Sequence, residues 1–130
     1  MQRLSILTLV LCTLTGCGGP FFLLAGGALS GPEQPYLNSV APSADTLIQL
    51  ETNPDDPYSV NLNARVIGGE VYVDPAVGRK WYEHLAADPR IRIRFDGDAT
   101  VYAGRVVEET DTDVLALFEP DRIVFRIAAR

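Results

Sequence analysis

Hydrophobic and polar residues are arranged in two different ways along the chain. Residues 4–14 form an almost uncharged apolar run, whereas from Thr46 onward apolar and polar residues alternate in short segments. Alternation with a period of two is typical of β-strands that have one buried and one solvated face. It predicts six strands, over residues 46–52, 58–67, 70–74, 90–95, 99–108 and 122–128.

Turn signals connect these strands as hairpins. Gly68-Gly69 and the stretch 96–98 (DGD) have the composition of tight hairpin turns. Residues 79–88 have the apolar spacing of a short helix that ends before a proline, whereas residues 111–119 fit either a short helix or a strand. Because hairpins rather than helices join successive strands, the pattern favours a mainly β protein, a small antiparallel barrel of about six strands with one short helix.

The apolar run near the N-terminus has the features of a bacterial export signal. Arg3 supplies a positive start, residues 4–14 have the length of a signal-peptide core, and small residues follow. Residues 14–17 (LTGC) resemble the lipobox of bacterial lipoproteins. The resemblance implies that residues 1–16 are a signal peptide, and that Cys17 receives fatty acyl chains such as palmitate, which anchor the protein to a membrane.

Two alternatives remain for this region. One is an ordinary signal peptide with a chance cysteine, and the other is an uncleaved signal anchor over residues 4–29, which the glycines and the proline at 18–20 disfavour. The lipobox implies a lipid-anchored location in the cell envelope, with the domain facing the periplasm or another extracytoplasmic space. Gly18, rather than an aspartate, follows the cysteine, which resembles lipoproteins that proceed to the outer membrane of a Gram-negative host.

The composition of residues 17–44 indicates a lipidated tether in front of a β domain over residues 45–130. The segment is rich in Gly, Pro and Ser, and its four prolines exclude a long helix. Residues 21–24 (FFLL) are more apolar than an ordinary linker. Their side chains either enter the membrane interface or fold back onto the domain. We favour folding back, because four exposed apolar residues in a row promote aggregation.

Composition narrows the chemistry of the mature chain. The sequence carries 11 basic and 17 acidic residues, and removal of Arg3 changes the net charge from −6 to −7. This acidity argues against nucleic-acid binding. Cys12 would leave with the signal and Cys17 would carry lipid, so the mature chain would have neither a disulfide nor a thiolate metal site. Its single histidine, His84, does not suffice for a typical zinc site.

A family resemblance appears in the predicted helix. Residues 80–89 (KWYEHLAADP) are similar to the W-x-x-N-L-x-A-[ND]-P motif of the deazaflavin-dependent nitroreductase-like branch of the FMN-binding split barrels. The hairpin over residues 66–73 extends the resemblance, which covers residues 47–109, about half of the chain. It implies a split β-barrel, FMN or deazaflavin as cofactor, oxidoreductase activity, and a homodimer that holds the cofactor between its subunits.

Two positions depart from the family pattern. Residues 52–57 (TNPDDP) stand where the family has a Gly-Arg-Lys-Ser-Gly-like turn that holds the cofactor phosphate, and Asp55 and Asp56 would repel that phosphate. His84 replaces the asparagine of the family motif. A lost activity or a different ligand is therefore as consistent with the sequence as a retained flavin.

The candidate cofactor-binding residues are Arg79, Lys80, Trp81 and His84. Arg79 and Lys80, at the predicted helix N-terminus, either attract an anion such as a flavin phosphate or are solvated cations paired with Asp74. Trp81 either lines a pocket or fills the core, as lone helical tryptophans more often do. His84 has no acid–base partner that the sequence identifies, which favours a surface position.

Three arginines form a basic stripe along one predicted strand. Arg90, Arg92 and Arg94 alternate with apolar residues, and we expect cross-strand acids such as Glu70 and Glu108 to pair with them.

Taken together, these patterns favour a membrane-anchored envelope lipoprotein with a non-catalytic domain that binds a ligand or a protein. The alternative is a flavin- or deazaflavin-dependent oxidoreductase with Arg79, Lys80 and Trp81 near the cofactor. No catalytic residue is predicted, and the sequence does not identify an envelope partner.

Overall fold

A computed structural model describes residues 19–130 of the chain. The predicted signal peptide, residues 1–16, and the predicted lipidation site Cys17 lie outside the described residues. Within residues 19–130, no helix combines the length and hydropathy needed to cross a membrane. The described elements are β1 (Glu33–Pro35), a 3₁₀ turn (Asn38–Val40), β2 (Thr46–Thr52), β3 (Tyr58–Ile67), β4 (Glu70–Val73), α1 (Lys80–Ala87), β5 (Arg90–Phe95), β6 (Val101–Glu108), α2 (Thr112–Leu115) and β7 (Phe125–Ala128).

Six of the strands close into an antiparallel barrel. Their order is β6-β5-β2-β3-β4-β7, and β7 pairs in turn with β6. The predicted mainly β fold, a barrel of six strands with a short helix before β5, is confirmed. The strand β1, which lies parallel to β6, was not predicted. Of the two alternatives for residues 111–119, the structure has the short helix, α2, whose first turn is capped by Asp111.

The alternation along the strands determines which side chains fill the barrel. On β5, Ile91, Ile93 and Phe95 are buried, whereas the three arginines that alternate with them are not. On β2, Leu50 is the register partner of Ile93 and is equally buried. Burial of each such aliphatic side chain contributes about 1.5–3 kcal/mol, so the period-two pattern accounts for the core.

The N-terminal strap, residues 19–36, lies against the barrel. Gly26 and Ser59 exchange two backbone hydrogen bonds of 2.9 Å, Leu29 is buried, and Tyr36 is completely buried in the main core. Residues 19–36 of the tether predicted over residues 17–44 therefore contact the barrel. An extended segment rich in Gly and Pro finds its hydrogen-bond partners on the barrel surface, and composition alone does not reveal those partners.

A buried ion pair fastens the strap to the barrel. The carboxylate of Glu51 is nearly buried, and its Oε2 accepts a hydrogen bond from the backbone N–H of Leu29 at 2.7 Å. Arg92 donates to both oxygens of Glu51, to the carbonyl of Leu29 at 2.8 Å and to Glu33 at 3.0 Å. Arg92 therefore binds both ends of one strap segment.

The two acids named as partners of the arginine stripe, Glu70 and Glu108, are wrong, but the expected cross-strand pairing is formed by Arg92 and Glu51, its register partner on β2. Arg90 pairs with Asp88 at 2.8 Å, Arg92 pairs with Glu33 and Glu51, and Arg94 donates to the carbonyl of Ser30. The partners of Arg92 and Arg94 come from β2 and from the strap. The strap covers this face of the sheet and supplies acceptors that the strand pattern does not include.

The apolar loop, residues 21–24, forms a tight turn within the strap. Phe21 and Leu24 exchange backbone hydrogen bonds of 3.1 and 2.9 Å, and the side-chain amide of Asn61 on β3 donates to the carbonyl of Phe22 at 2.9 Å. The backbone thus returns to the domain. The side chains do not, since their exposed fractions range from 68% for Phe21 to 100% for Leu23. Our expectation that these side chains fold back is not met.

Candidate functional site

A groove of about 530 Å³ lies between β3, the N-terminal end of α1 and the segment before β7. We call it the cationic groove. The side chains in it that carry charge or an aromatic ring are Tyr58, Asp74, Arg79, Lys80, Trp81 and Arg122, with Phe22 of the apolar loop at its border. Three of the four predicted cofactor-binding residues therefore meet here, whereas His84 does not line the groove.

The loop between β4 and α1 positions the two helix-terminal cations. Gly78 has a φ of 92°, a left-handed conformation that glycine adopts without strain. Arg79 then begins the helix as its N-cap residue, with no side-chain cap hydrogen bond. A cation at this end is opposed by the helix dipole by about 0.3–1 kcal/mol. An anionic ligand would remove that penalty and would also meet uncapped N–H groups.

The groove cations are not neutralised by carboxylates. Within residues 19–130, Arg79, Lys80 and Arg122 form no salt bridge. Lys80 Nζ lies 5.4 Å from the centre of the Tyr58 ring, a cation–π contact, and Arg122 donates to the backbone carbonyl of Asp74 at 3.0 Å. The expected pairing of Arg79 or Lys80 with the Asp74 carboxylate is not formed. The groove thus has surplus positive charge in an acidic protein.

Trp81 combines the two roles considered from the sequence. The side chain is half-buried and packs against the main core, and it also lines the cationic groove. A residue placed in this way offers one face to a ligand while its packing limits its motion.

His84 supports the groove from behind. Its Nδ1 lies 2.9 Å from Thr52 Oγ1, and its ring contacts Tyr58 edge to face, with 5.2 Å between ring centres. Thr52 Oγ1 also lies 3.3 Å from the carbonyl of Tyr58, to which it can donate. When Thr52 donates its single hydrogen there, the hydrogen bond with His84 requires a proton on Nδ1. Among the described residues, His84 thus contacts Thr52 and the groove residue Tyr58.

The turn between β2 and β3 does not line the cationic groove. Pro54 and Pro57 border a separate pocket of about 260 Å³ with Arg90. Asn53 adopts a φ of 56°, and it exchanges hydrogen bonds of 3.0 Å with Asp56, one through its side-chain amide and one through its carbonyl. These donors are therefore used within the turn, and its prolines have no backbone N–H. This arrangement does not suit a phosphate.

Two groove residues were not found from the sequence. Tyr58 was assigned only as the first residue of a strand, and the strand pattern does not indicate that it lines a groove. Arg122 is brought to the groove by the connection between α2 and β7, and no local motif marks it. Among residues 19–130, no group of His, Cys, Asp and Glu is arranged to hold a metal ion.

Comparison with known proteins places the fold. The sequence matches no family model and no curated protein. A putative pyridoxamine 5'-phosphate oxidase from Listeria innocua is similar in structure, with a TM-score of 0.56 and 13% identity over 65% of this chain and 84% of that chain. A conserved hypothetical protein from Mycobacterium tuberculosis has a TM-score of 0.54 and 20% identity over 65% of this chain and 73% of that chain.

A protein of unknown function from Agrobacterium tumefaciens is also similar, with a TM-score of 0.53 and 20% identity over 65% of this chain and 48% of that chain. The closed six-strand barrel and these neighbours decide the fold. The domain has a split-barrel fold similar to that of the putative pyridoxamine 5'-phosphate oxidase. Because the identities are 13–20%, the likeness of this split barrel to its neighbours extends to the fold and not to an activity.

Two parts of the split barrel differ in how well they suit a flavin phosphate. Arg79, Lys80 and Arg122 suit an anion, because none of them forms a salt bridge among residues 19–130 and they flank two aromatic side chains. The turn over residues 53–57, which the family resemblance implies as the phosphate-binding turn, does not suit one. An anion would meet this split barrel at the groove rather than at the turn.

Proposed function

We propose that this protein is a membrane-anchored cell-envelope lipoprotein whose split barrel binds an anionic ligand in the cationic groove without catalysis. The observation that carries the proposal is a set of three cations, Arg79, Lys80 and Arg122, which form no salt bridge in the described part of the chain and lie beside the rings of Tyr58 and Trp81. Charge at close range selects an anion, and the aromatic rings add contact area for a flat or apolar ligand.

The lipid anchor is the second part of the proposal. All seven described strands follow Cys17 in the chain, so cleavage before Cys17 would remove no strand of the barrel. Two or more acyl chains give stable anchoring, whereas one gives only marginal binding. The domain would then face the extracytoplasmic side of the membrane, and the outer membrane in a Gram-negative host.

The acidic turn supports a non-catalytic role. The family resemblance implies a basic turn that fixes the cofactor phosphate, and Asp55 and Asp56 occupy that turn here. Without this fixation a flavin would not be held in one orientation, and catalysis depends on orientation. The groove retains cations that attract an anion, but the turn lacks the basic residues that would fix the phosphate of a flavin.

The full chain, produced in a bacterium with its own N-terminus and purified in detergent, tests both parts. Intact mass should show loss of residues 1–16 and addition of acyl chains to Cys17. Titration with inorganic phosphate, FMN and riboflavin should show saturable binding of the two phosphate-bearing probes and weaker binding of riboflavin, which has no phosphate. Equal responses to FMN and riboflavin, or none to any probe, would contradict an anion-binding groove.

A flavin- or deazaflavin-dependent oxidoreductase is the second candidate. The observation that favours it is the combination of the split barrel with α1, whose sequence resembles the family helix motif. Family members act as homodimers by the same resemblance, so this candidate also implies a homodimer. A visible absorption band that copurifies with the protein, together with turnover of a nitro compound by the reduced holoprotein, would establish it over the binding role.

A further inference from the structure

The apolar loop, residues 21–24, exposes four large hydrophobic side chains on a protein whose strands are otherwise amphipathic. The exposed fractions are 68% for Phe21, 75% for Phe22, 100% for Leu23 and 69% for Leu24. Contiguous exposed apolar side chains in a soluble domain mark an interaction surface. The question is which surface covers them.

The backbone hydrogen bonds of the loop suit an apolar environment. Phe21 and Leu24 satisfy each other's N–H and C=O groups, and the carbonyl of Phe22 accepts from Asn61. Polar backbone groups without partners are costly outside water. A turn whose end residues pair with each other, and whose Phe22 carbonyl is bound by Asn61, can therefore approach lipid with its side chains foremost.

The charge pattern along this part of the chain favours lipid over a protein partner. No charged residue occurs between Arg3 and Glu33, and the charged side chains nearby in space belong to the barrel and the cationic groove, not to the loop. Leu47, 52% exposed on β2, adds apolar surface beside Phe21. Exposed apolar side chains next to an uncharged stretch are typical of segments that enter the membrane interface.

The position of the loop in the chain places it close to the membrane that would hold the acyl chains of Cys17. Cys17 lies four residues before Phe21, a span of at most about 14 Å when extended. An acyl chain on Cys17 would hold the loop within that distance of the bilayer. The far end of the strap is fixed to the barrel, because Leu29 is bound by Glu51 and Arg92, so the loop has a defined direction relative to the domain.

We propose that the apolar loop inserts into the membrane interface and, together with the lipid on Cys17, sets the orientation of the barrel on the bilayer. The inference rests on the proposed lipid anchor. Phe22 and Leu23 border the cationic groove, so insertion places the groove mouth next to the bilayer surface. The side chains of the loop contact the acyl region of phospholipids and not a second protein.

An environment-sensitive thiol label reports the position of the loop. Leu23→Cys is introduced into the full chain carrying Cys12→Ala, and lipidation of Cys17 leaves the new cysteine as the single free thiol. The matched control is Leu117→Cys, since Leu117 is 52% exposed and lies in a different part of the chain. Each labelled protein is reconstituted into phosphatidylcholine vesicles with and without nitroxide-labelled acyl chains.

The expected result is a blue-shifted emission from position 23 that nitroxide lipid quenches several-fold more strongly than emission from position 117. Equal, water-like emission from both positions would overturn the insertion. A blue shift at position 23 that grows with protein concentration and resists nitroxide quenching would also overturn it, in favour of a second copy as the occupant.

A second variant separates membrane contact from folding. Phe22 has a φ of 51°, a conformation that is unfavourable for a bulky residue and natural for glycine. Phe22→Gly should therefore keep or raise the melting temperature while lowering nitroxide quenching at position 23. Unchanged quenching in this variant would contradict a role for Phe22 in insertion.

Failure of the lipid anchor gives a different signature. A mass without acyl chains, with Cys17 open to thiol labelling, would contradict the proposed anchor alone. The loop is then tested by adding Cys17→Ser to the labelled chain and measuring sedimentation with the same vesicles. Binding that Phe22→Gly weakens would support insertion by the loop itself, and no binding would overturn it.

Discussion

Arg92 holds the buried carboxylate of Glu51 through two hydrogen bonds, from Nε to Oε1 at 2.9 Å and from NH2 to Oε2 at 2.7 Å. The hydrogen bonds with Glu51 raise the pKa of Arg92, against the lowering effect of its burial. Glu51 is 5% exposed, so few water molecules can replace Arg92 if it is lost. The pair connects β2, β5 and the strap in one contact.

Arg92→Ala should lower the free energy of unfolding by about 3 kcal/mol, because it leaves a buried carboxylate without its counter-ion. Urea unfolding of the variant and the parent measures the difference. Arg105→Ala is the control, since Arg105 is exposed and donates only to the carbonyl of Ala129. A loss no larger than that of the control would show that the strap does not depend on this pair.

A fall in pH should weaken the ion pair between Asp88, which follows α1, and Arg90, which begins β5. The hydrogen bonds from Arg90 lower the pKa of Asp88 from 3.8 to about 2. A depressed folded-state pKa contributes stability above the unfolded pKa, and this contribution is lost as the pH falls through the folded value. The melting temperature of the parent should therefore approach that of Asp88→Asn between pH 3.8 and about 2. A gap between them that stays constant over this range would contradict the assignment.

Each cation of the groove should contribute its own share to the affinity for an anion. Lys80→Gln and Arg122→Gln should each weaken FMN binding by roughly two- to fivefold, because an exposed charge contact contributes about 0.5–1 kcal/mol. Fluorescence titration at low and high salt measures the effect, which should shrink as salt increases. Arg105→Gln removes a charge outside the groove and should leave binding unchanged. Equal losses in all three variants would indicate a net-charge effect without a defined groove.

Removal of the Tyr36 hydroxyl should not lower the stability of the fold. Tyr36 is completely buried, its Oη has no hydrogen-bond partner among the described residues, and its burial raises its pKa to about 12. Tyr36→Phe should therefore leave stability unchanged or raise it by up to about 1 kcal/mol, since an unsatisfied buried polar group is costly.

Tyr102→Phe is the matched control for this substitution. The Tyr102 hydroxyl donates to Asp98 at 3.1 Å, so its removal should lower the melting temperature. A destabilised Tyr36→Phe variant would mean that Tyr36 finds a partner, such as an ordered water.

Sequence patterns predicted the barrel well because its strands follow a local rule. Alternation on β5 put Ile91 and Ile93 inward, and the turn at Gly68-Gly69 joined β3 to β4, as the structure shows. The same reasoning located α1 and hence three residues of the groove. Each of these predictions depends on neighbours in sequence, where periodicity carries the information.

The strap and the remaining groove residues could not be predicted in this way. Leu29 is held by side chains from β2 and β5, and Arg122 reaches the groove from the connection that precedes β7. Hydrogen bonds from remote side chains to an extended backbone leave no periodic trace. The strap therefore had the composition of a linker although its backbone partners are specific.

β1 occupies a part of β6 that β7 does not reach. β7 pairs with β6 from Arg105 to Glu108, and β1 pairs with it from Val101 to Ala103. Without β1, this stretch of β6 would present unpaired N–H and C=O groups, which is a template for strand addition from another chain. A protein trimmed to residues 45–130 would expose that template to strand addition. The N-terminal strap thus supplies the hydrogen-bond partners of this edge from within the same chain.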